Sequence, residues 1–120
     1  MKKQLDLEAI FNYQRKFASD REWEQFHTPK NLAMALSVEA SELLELFQWL
    51  TPEQSKNIEK NPELMKSVKD EVSDTLYYLL RMTDILNIDL EEALSNKMIE
   101  NEKKYPIEKS KGIAKKYNQL

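Results

Sequence analysis

Residues 31–50 read NLAMALSVEASELLELFQWL, in which positions 32, 36, 39, 43, 46 and 50 follow alternating steps of four and three residues. Leucine occupies every one of these positions except 39, so the pattern predicts an α-helix with one apolar face. Glu39 lies in the middle of that face, and Glu42 follows one helical turn later. A buried carboxylate without a partner is costly unless it takes up a proton. The two glutamates therefore indicate a bound cation or a water-filled cleft.

A second helical stretch shows the same interruption. Residues 64–82 read LMKSVKDEVSDTLYYLLRM, where Glu71 takes a core-facing position and Asp74 follows one turn later. If the two helices pack antiparallel, all four carboxylates can meet at one centre. A set of oxygen ligands suits Mg²⁺, with Mn²⁺ as a second possibility. Either acidic pair alone could equally belong to a solvent-exposed helix face.

Helix-start signals divide the chain into an all-α fold. Thr28-Pro29, Thr51-Pro52 and Asn61-Pro62 each combine an N-cap residue with proline at the first helical position. Together with Asp6 and Asp89, they predict helices over about 6–21, 29–50, 52–60, 62–86 and 90–105. We expect a bundle of four main helices plus a short connecting helix, forming one domain over 1–106. Residues 107–120 are expected to be a basic, solvated tail. Alternatively, this segment packs on a neighbouring subunit or attracts a polyanionic substrate.

Composition excludes several classes of protein. A single glycine among 120 residues is too few for β-sandwich turns, a P-loop or a dinucleotide-binding fingerprint, and the lack of cysteine excludes disulfides and thiolate metal sites. One histidine, His27, cannot supply the paired Glu-x-x-His motifs of a di-iron bundle. A net charge of −3 argues against binding a nucleic-acid polymer. With no apolar run long enough for a membrane span and no signal-peptide core, we expect a cytoplasmic protein.

Three sequence segments resemble the MazG-like all-α nucleoside triphosphate pyrophosphatases, and most closely their dCTP pyrophosphatase subgroup. The segments are REWEQFHTPKNLAMALSVEASELLELFQW (21–49), DEVSDTLYYLL (70–80) and NKMIENEKKYP (96–106). The resemblance implies Mg²⁺ at the four acids and phosphate contacts from Lys97 and Asn101. It also implies base or sugar contacts from six further residues, namely Gln14, Phe17, Trp23, His27, Trp49 and Tyr78.

The implied reaction is hydrolysis of a nucleoside triphosphate to the monophosphate and pyrophosphate, with Glu39 or Glu42 taking a proton from the attacking water. Val38 stands where the wider family has a first glutamate, as in the dCTP subgroup, so dCTP or a related nucleotide is the expected substrate. Gln14 stands where some dCTP enzymes have a histidine, which leaves the base preference open. Two alternatives remain. One is the same fold acting on dUTP, dUDP or a phosphoribosyl nucleotide, and the other is a non-enzymatic adaptor that binds a basic partner.

Assembly is predicted from apolar residues outside the acid-bearing faces. Leu44, Phe47, Tyr77, Leu80 and Ile85 are too many for a 120-residue monomer to cover, so we expect a homo-oligomer. The resemblance favours a tetramer over a dimer. A continuous helix between Trp23 and Trp49 would be ~40 Å long, so the two rings can enclose one base only if the Trp23 segment folds back along that helix or another subunit contributes.

Overall fold

The computed structural model describes residues 2–120, and all regular structure within this range is helical. Two compact units divide between Asn87 and Ile88. The first unit contains three long helices and a short one, namely α1 (Leu7–Asp20), α2 (Pro29–Phe47), α3 (Pro52–Lys56) and α4 (Pro62–Ile85). The second contains α5 (Leu90–Lys104) and the short α6 (Ile107–Ser110). The expected all-α class is therefore confirmed.

The helix starts agree with the cap signals in the sequence. At every predicted cap, the side chain accepts a hydrogen bond from the backbone N–H three residues later, which satisfies one of the unpaired donors of a first helical turn. Thr51 and Gln54 form a reciprocal capping box. The five cap residues are Asp6, Thr28, Thr51, Asn61 and Asp89.

α2 and α4 pack along each other in opposite directions. His27, just before α2, is hydrogen-bonded to Arg81 near the end of α4. At the other end, Leu50 after α2 and Leu64 at the start of α4 line the same surface cleft. Glu39 and Glu71, each near the middle of its helix, are therefore brought side by side. The structure therefore has the antiparallel packing that lets acids from the two helices meet.

Two helix ends differ from the sequence-based prediction. α2 ends at Phe47 instead of continuing to residue 50, because Thr51 must be extended to cap α3, and the backbone turns before it. α3 ends at Lys56 and is followed by a 3₁₀ turn over Ile58–Lys60. No helix within residues 2–120 is both long enough and apolar enough to cross a lipid bilayer.

The segment after Pro106, which the sequence predicts to be a basic solvated tail, contains short helical turns. It forms α6 and a 3₁₀ turn over Tyr117–Gln119, and the ring of Tyr117 packs edge-on against Tyr105 at 6.2 Å between centroids. The ammonium group of Lys104 lies 4.7 Å from the centroid of the Tyr117 ring, close enough for a cation–π interaction. Aromatic contacts of this kind bring the segment back onto α5.

Burial corrects part of the argument for assembly. Leu80 is buried within the chain, so it is not available to a second subunit, whereas Tyr77 beside α1 is only half-buried. Leu44 is 63% exposed, as the prediction requires. A helical period alone cannot distinguish a face covered by α1 from a face covered by another subunit, which explains the error.

Candidate active site

Three of the four predicted acids form a cluster between α2 and α4. Glu39, Glu42 and Glu71 each offer a carboxylate oxygen, and these atoms lie within 4.8 Å of one another. The Oε2 atoms of Glu39 and Glu71 are buried and accept no hydrogen bond from any N–H or O–H donor in residues 2–120. Asp74 lies outside this closest set and lines the adjoining cavity. Buried acceptors without donors require a proton or a cation.

The electrostatics of the cluster follow from its crowding. Burial raises the pKa of Glu39 to about 7, and hydrogen bonding with Glu71 and Glu42 adds to this increase. Hydrogen bonding with Glu39 lowers the pKa of Glu71, but burial and the charge of Glu42 outweigh it, so the pKa of Glu71 is raised. Because the carboxyl groups lie close together, they titrate together as one coupled cluster.

A cavity of about 310 Å³ adjoins the cluster and is mostly aromatic. Glu39 and Asp74 form part of its wall, so a ligand in the cavity lies next to the acids. Four of the predicted base or sugar contacts also line it. The lining residues are Tyr13, Phe17, Trp23, His27, Glu39, Asp74, Tyr77 and Tyr78.

The turn after α1 places Trp23 at this cavity. Glu22 has a left-handed backbone with φ 53°, its N–H bonds to the Ser19 carbonyl, and the N–H of Trp23 bonds to the Ala18 carbonyl. This hydrogen-bond pair is a Schellman motif, in which glycine is usual at the left-handed position. It returns the chain over α1, where Trp23 packs edge-on against Phe17 at 5.8 Å between ring centroids. The turn therefore brings Trp23 to the cavity beside Phe17, but it does not bring Trp23 along α2 towards Trp49.

Trp49 and Gln14 are not part of the cavity wall. Trp49 follows α2 at the end opposite to His27 and is 87% exposed. Gln14 is only 1% exposed, and its side-chain amide donates a hydrogen bond to the backbone carbonyl of Tyr77 over 2.8 Å. The structure thus gives Gln14 a role in packing α1 on α4, and its contact with a base stays a prediction.

Lys97 and Asn101 lie on α5 in the second unit, and both side chains are exposed. They are one turn apart, on the same side of the helix. The Lys97 ammonium lies 3.5 Å from Glu100 Oε2, a surface ion pair of the kind that contributes little to stability. Their contact with phosphate remains a prediction.

Two cavity residues were missed by the sequence reasoning. Tyr13 lies one turn before Phe17 on α1, and Tyr77 lies one turn after Asp74 on α4. Both therefore share a helix face with a residue that was predicted. Searching one turn on either side of each predicted residue would have found them.

Comparison with known proteins gives a consistent assignment. The sequence model of the MazG-like family matches residues 34–120. The chain is 40% identical to bovine (Bos taurus) dCTP pyrophosphatase 1 over 114 residues, which are 95% of this chain and 68% of that protein. It is 38% identical to the human (Homo sapiens) dCTP pyrophosphatase 1 over 114 residues, again 95% of this chain and 67% of the relative.

A solved structure agrees with these sequence matches. The crystal structure of a pyrophosphatase from Archaeoglobus fulgidus superposes with a TM-score of 0.75 at 39% sequence identity, covering 88% of this chain and 97% of the other. At this identity the likeness extends beyond the fold. The chain therefore belongs to the MazG-like family and is an enzyme, a nucleotide pyrophosphohydrolase.

Proposed function

We propose that the protein is a Mg²⁺-dependent pyrophosphatase that hydrolyses dCTP or a closely related deoxynucleotide to the monophosphate and pyrophosphate. The observation that carries this proposal is the position of the acid cluster of Glu39, Glu42 and Glu71 beside an aromatic cavity. Acids of this kind bind the metal of a triphosphate, and aromatic walls stack on its base. The dCTP pyrophosphatases among its relatives suggest the choice of base.

The donor set fits a hard divalent cation. The ligand atoms of this cluster are all carboxylate oxygens, and two of them are buried with no hydrogen-bond donor in the described part of the chain. Glu39, Glu42 and Glu71 would hold Mg²⁺, with Asp74 beside them and Mn²⁺ as a possible substitute. When bound, Mg²⁺ would supply positive charge that screens the triphosphate and polarises the phosphorus under attack.

The chain's own residues account for the rest of the reaction. A water attacks the α-phosphorus, the bond from that phosphorus to the bridging oxygen breaks, and pyrophosphate leaves. The water's proton goes to Glu39 or Glu42. A carboxylate whose pKa lies near neutrality, like that of Glu39, is suited to this step. Lys97 and Asn101 are proposed to hold the phosphates through charge and an amide donor.

The aromatic residues orient the nucleoside. Trp23 and Phe17 offer a stacking surface, and Tyr78 lies one turn after Asp74 on the cavity wall. Stacking alone accepts any base, so selectivity needs hydrogen bonds at the base edge together with limited space. The volume of the cavity does not choose the base, so the preference for a pyrimidine deoxynucleotide is proposed from the dCTP pyrophosphatases among its relatives.

We also propose a homo-oligomer, with a tetramer favoured over a dimer, that removes unwanted nucleotides in the cytoplasm. Leu44 and Val38 leave more than half of their surface exposed on α2, and Trp49 is exposed beyond the end of that helix. An exposed tryptophan at the end of a helix is well suited to complete the cavity of a neighbouring subunit.

A substrate panel tests the proposal. We expect the highest kcat/KM for dCTP among the eight common ribonucleoside and deoxyribonucleoside triphosphates, with dCMP and pyrophosphate as products and no turnover in EDTA. Release of inorganic phosphate instead of pyrophosphate would overturn the site of cleavage. Preference for a purine or a ribonucleotide would overturn the assigned base. Turnover of dUDP or a phosphoribosyl nucleotide in place of dCTP would support the alternative substrates.

A further inference from the structure

One ring nitrogen of His27, the single histidine of the chain, accepts a hydrogen bond from a buried arginine. Arg81, near the end of α4, is 5% exposed, and its Nε–H donates a hydrogen bond to His27 Nδ1 over 3.1 Å. A guanidinium group is protonated at all physiological pH values and has no acceptor. Nδ1 must therefore be the acceptor, and the ring proton lies on Nε2.

Arg81 is held in place by a second ion pair. Its Nη1 lies 3.5 Å from Asp84 Oδ2, and Asp84 accepts two hydrogen bonds from Arg15 of α1. Hydrogen bonding with Arg15 also holds the pKa of Asp84 below its usual value. The buried guanidinium therefore has a charged partner, without which its burial would be strongly unfavourable. This relay of Arg15, Asp84, Arg81 and His27 connects α1 and α4 to the loop before α2.

We propose that Arg81 is a positioning residue that fixes His27 as the Nε2–H tautomer, so that His27 offers one hydrogen-bond donor and no acceptor to the nucleoside part of the substrate. The identity of the ligand rests on the proposed function, whereas the tautomer rests on the structure of the chain alone. The matching group on a pyrimidine is a carbonyl oxygen such as O2. A base that presents a donor at that position would leave the Nε2–H without a partner, which is how buried polar groups discriminate.

The position of His27 supports a contact with the base. It lines the cavity and packs edge-on against Trp23, with 6.3 Å between ring centroids. Since Nδ1 is directed at Arg81, the opposite edge of the ring, with Nε2, is the one that a ligand can reach. Burial and the charge of Arg81 lower the pKa of His27, so the ring stays neutral at neutral pH. The amide of Gln14, the other candidate for this role, already donates to Tyr77.

Nuclear magnetic resonance tests the tautomer without substrate. Because His27 is the only histidine, labelling histidine with ¹⁵N gives signals from a single ring, and the two nitrogen shifts identify the protonated one. We expect a pure Nε2–H tautomer in the wild type and a mixture in Arg81→Met. Arg15→Met is the matched control, since it removes the other arginine that pairs with Asp84 and leaves the contact with His27 intact. A mixed tautomer in the wild type would overturn the proposal.

Two substitutions of His27 test the donor and do not depend on the folding of Arg81→Met. Glutamine places its amide near the position of Nε2, whereas asparagine places it near Nδ1. We expect His27→Gln to keep the wild-type KM for dCTP within a few-fold. His27→Asn should raise KM by about tenfold, the size of one hydrogen bond, with a smaller change in kcat. Equal KM values in the two variants would refute the donor role.

These measurements also separate the inference from the proposed function. A pure Nε2–H tautomer that is lost only in Arg81→Met supports the positioning role even if dCTP is not hydrolysed. Such a result would reject dCTP as the substrate but would leave the positioning role of Arg81 intact. Conversely, efficient dCTP hydrolysis with a mixed tautomer in the wild type would reject the relay and leave the pyrophosphatase assignment unaffected.

Discussion

The carboxylates of Glu39 and Glu71 meet between α2 and α4, and the Oε2 atom of each is buried and accepts no hydrogen bond from a donor among the residues that the structure describes. Two carboxylates this close cannot both remain charged unless something positive lies between them. The pair must either share a proton or bind a cation. This competition between proton and metal has consequences for stability, metal binding and turnover.

Stability in the absence of metal should fall as the pH rises. The pKa of Glu39 is 4.5 in its ordinary state and about 7 in the folded protein, so the folded state binds more protons between these values. The stability that the protonated carboxyl contributes is fully present below 4.5 and is lost as the pH rises through about 7. Urea denaturation should show that Glu39→Gln is more stable than the wild type at pH 8. Glu45→Gln, an exposed change on the same helix, should have little effect; equal pH dependence in both variants would contradict the assignment.

Magnesium should stabilise the protein more at pH 8 than at pH 5. Binding to the folded state raises the melting temperature in proportion to the logarithm of ligand excess, and protons compete with the cation for the same oxygens. Thermal melting with and without MgCl₂ measures this difference. We expect the shift to disappear in Glu71→Gln and to persist in Glu45→Gln. The same shift at both pH values would show that the ion binds elsewhere.

Loss of one acid from the site should abolish most of the turnover. We expect Glu42→Ala and Asp74→Ala to lower kcat by at least ~10²-fold, the scale at which single electrostatic contacts to a transition state act. Circular dichroism should show unchanged helicity, because neither side chain forms part of the apolar packing. Glu45→Ala is the control for a change of charge on α2. Turnover near the wild-type value in either site variant would remove the metal-site assignment.

The two tryptophans should both affect substrate binding, although only Trp23 lines the cavity of its own chain. Stacking on a base contributes ~1–3 kcal/mol, so Trp23→Ala should raise KM by roughly tenfold to a hundredfold. If Trp49 completes the cavity of another subunit, Trp49→Ala should show a similar increase. Refolding the two variants together should then restore part of the activity, since some sites receive both tryptophans. No restoration would exclude a shared site.

The protein should be a homo-oligomer in solution. Light scattering coupled to gel filtration should give about four times the chain mass of 14.2 kDa. Leu44→Glu adds a charge to a side chain that is 63% exposed and should lower that mass. Leu5→Glu, at a similarly exposed position before α1, serves as the control. A 14.2 kDa particle at micromolar concentration would refute the assembly and with it the role of Trp49 in a shared site.

Local features of the sequence determined where the helices begin and which core-facing positions carry acidic residues. Caps such as Thr51 act through a hydrogen bond three residues away, so the start of α3 is visible in the sequence itself. The core-facing positions of Glu39 and Glu71 are also visible in the sequence, since the period of a helix shows which positions face the core. These relationships span a few residues and do not depend on how the helices pack.

Only the tertiary structure decided which polar groups meet across helices. Gln14 interrupts an apolar stripe just as Glu39 does, yet it bonds to the backbone of Tyr77 and packs α1 on α4, whereas Glu39 meets other acids. Arg81 and His27 are 54 positions apart in the sequence, and no local pattern relates them. The physical reason is that a helical period fixes the face of a side chain but not its partner, which depends on the rotation and offset of the neighbouring helix.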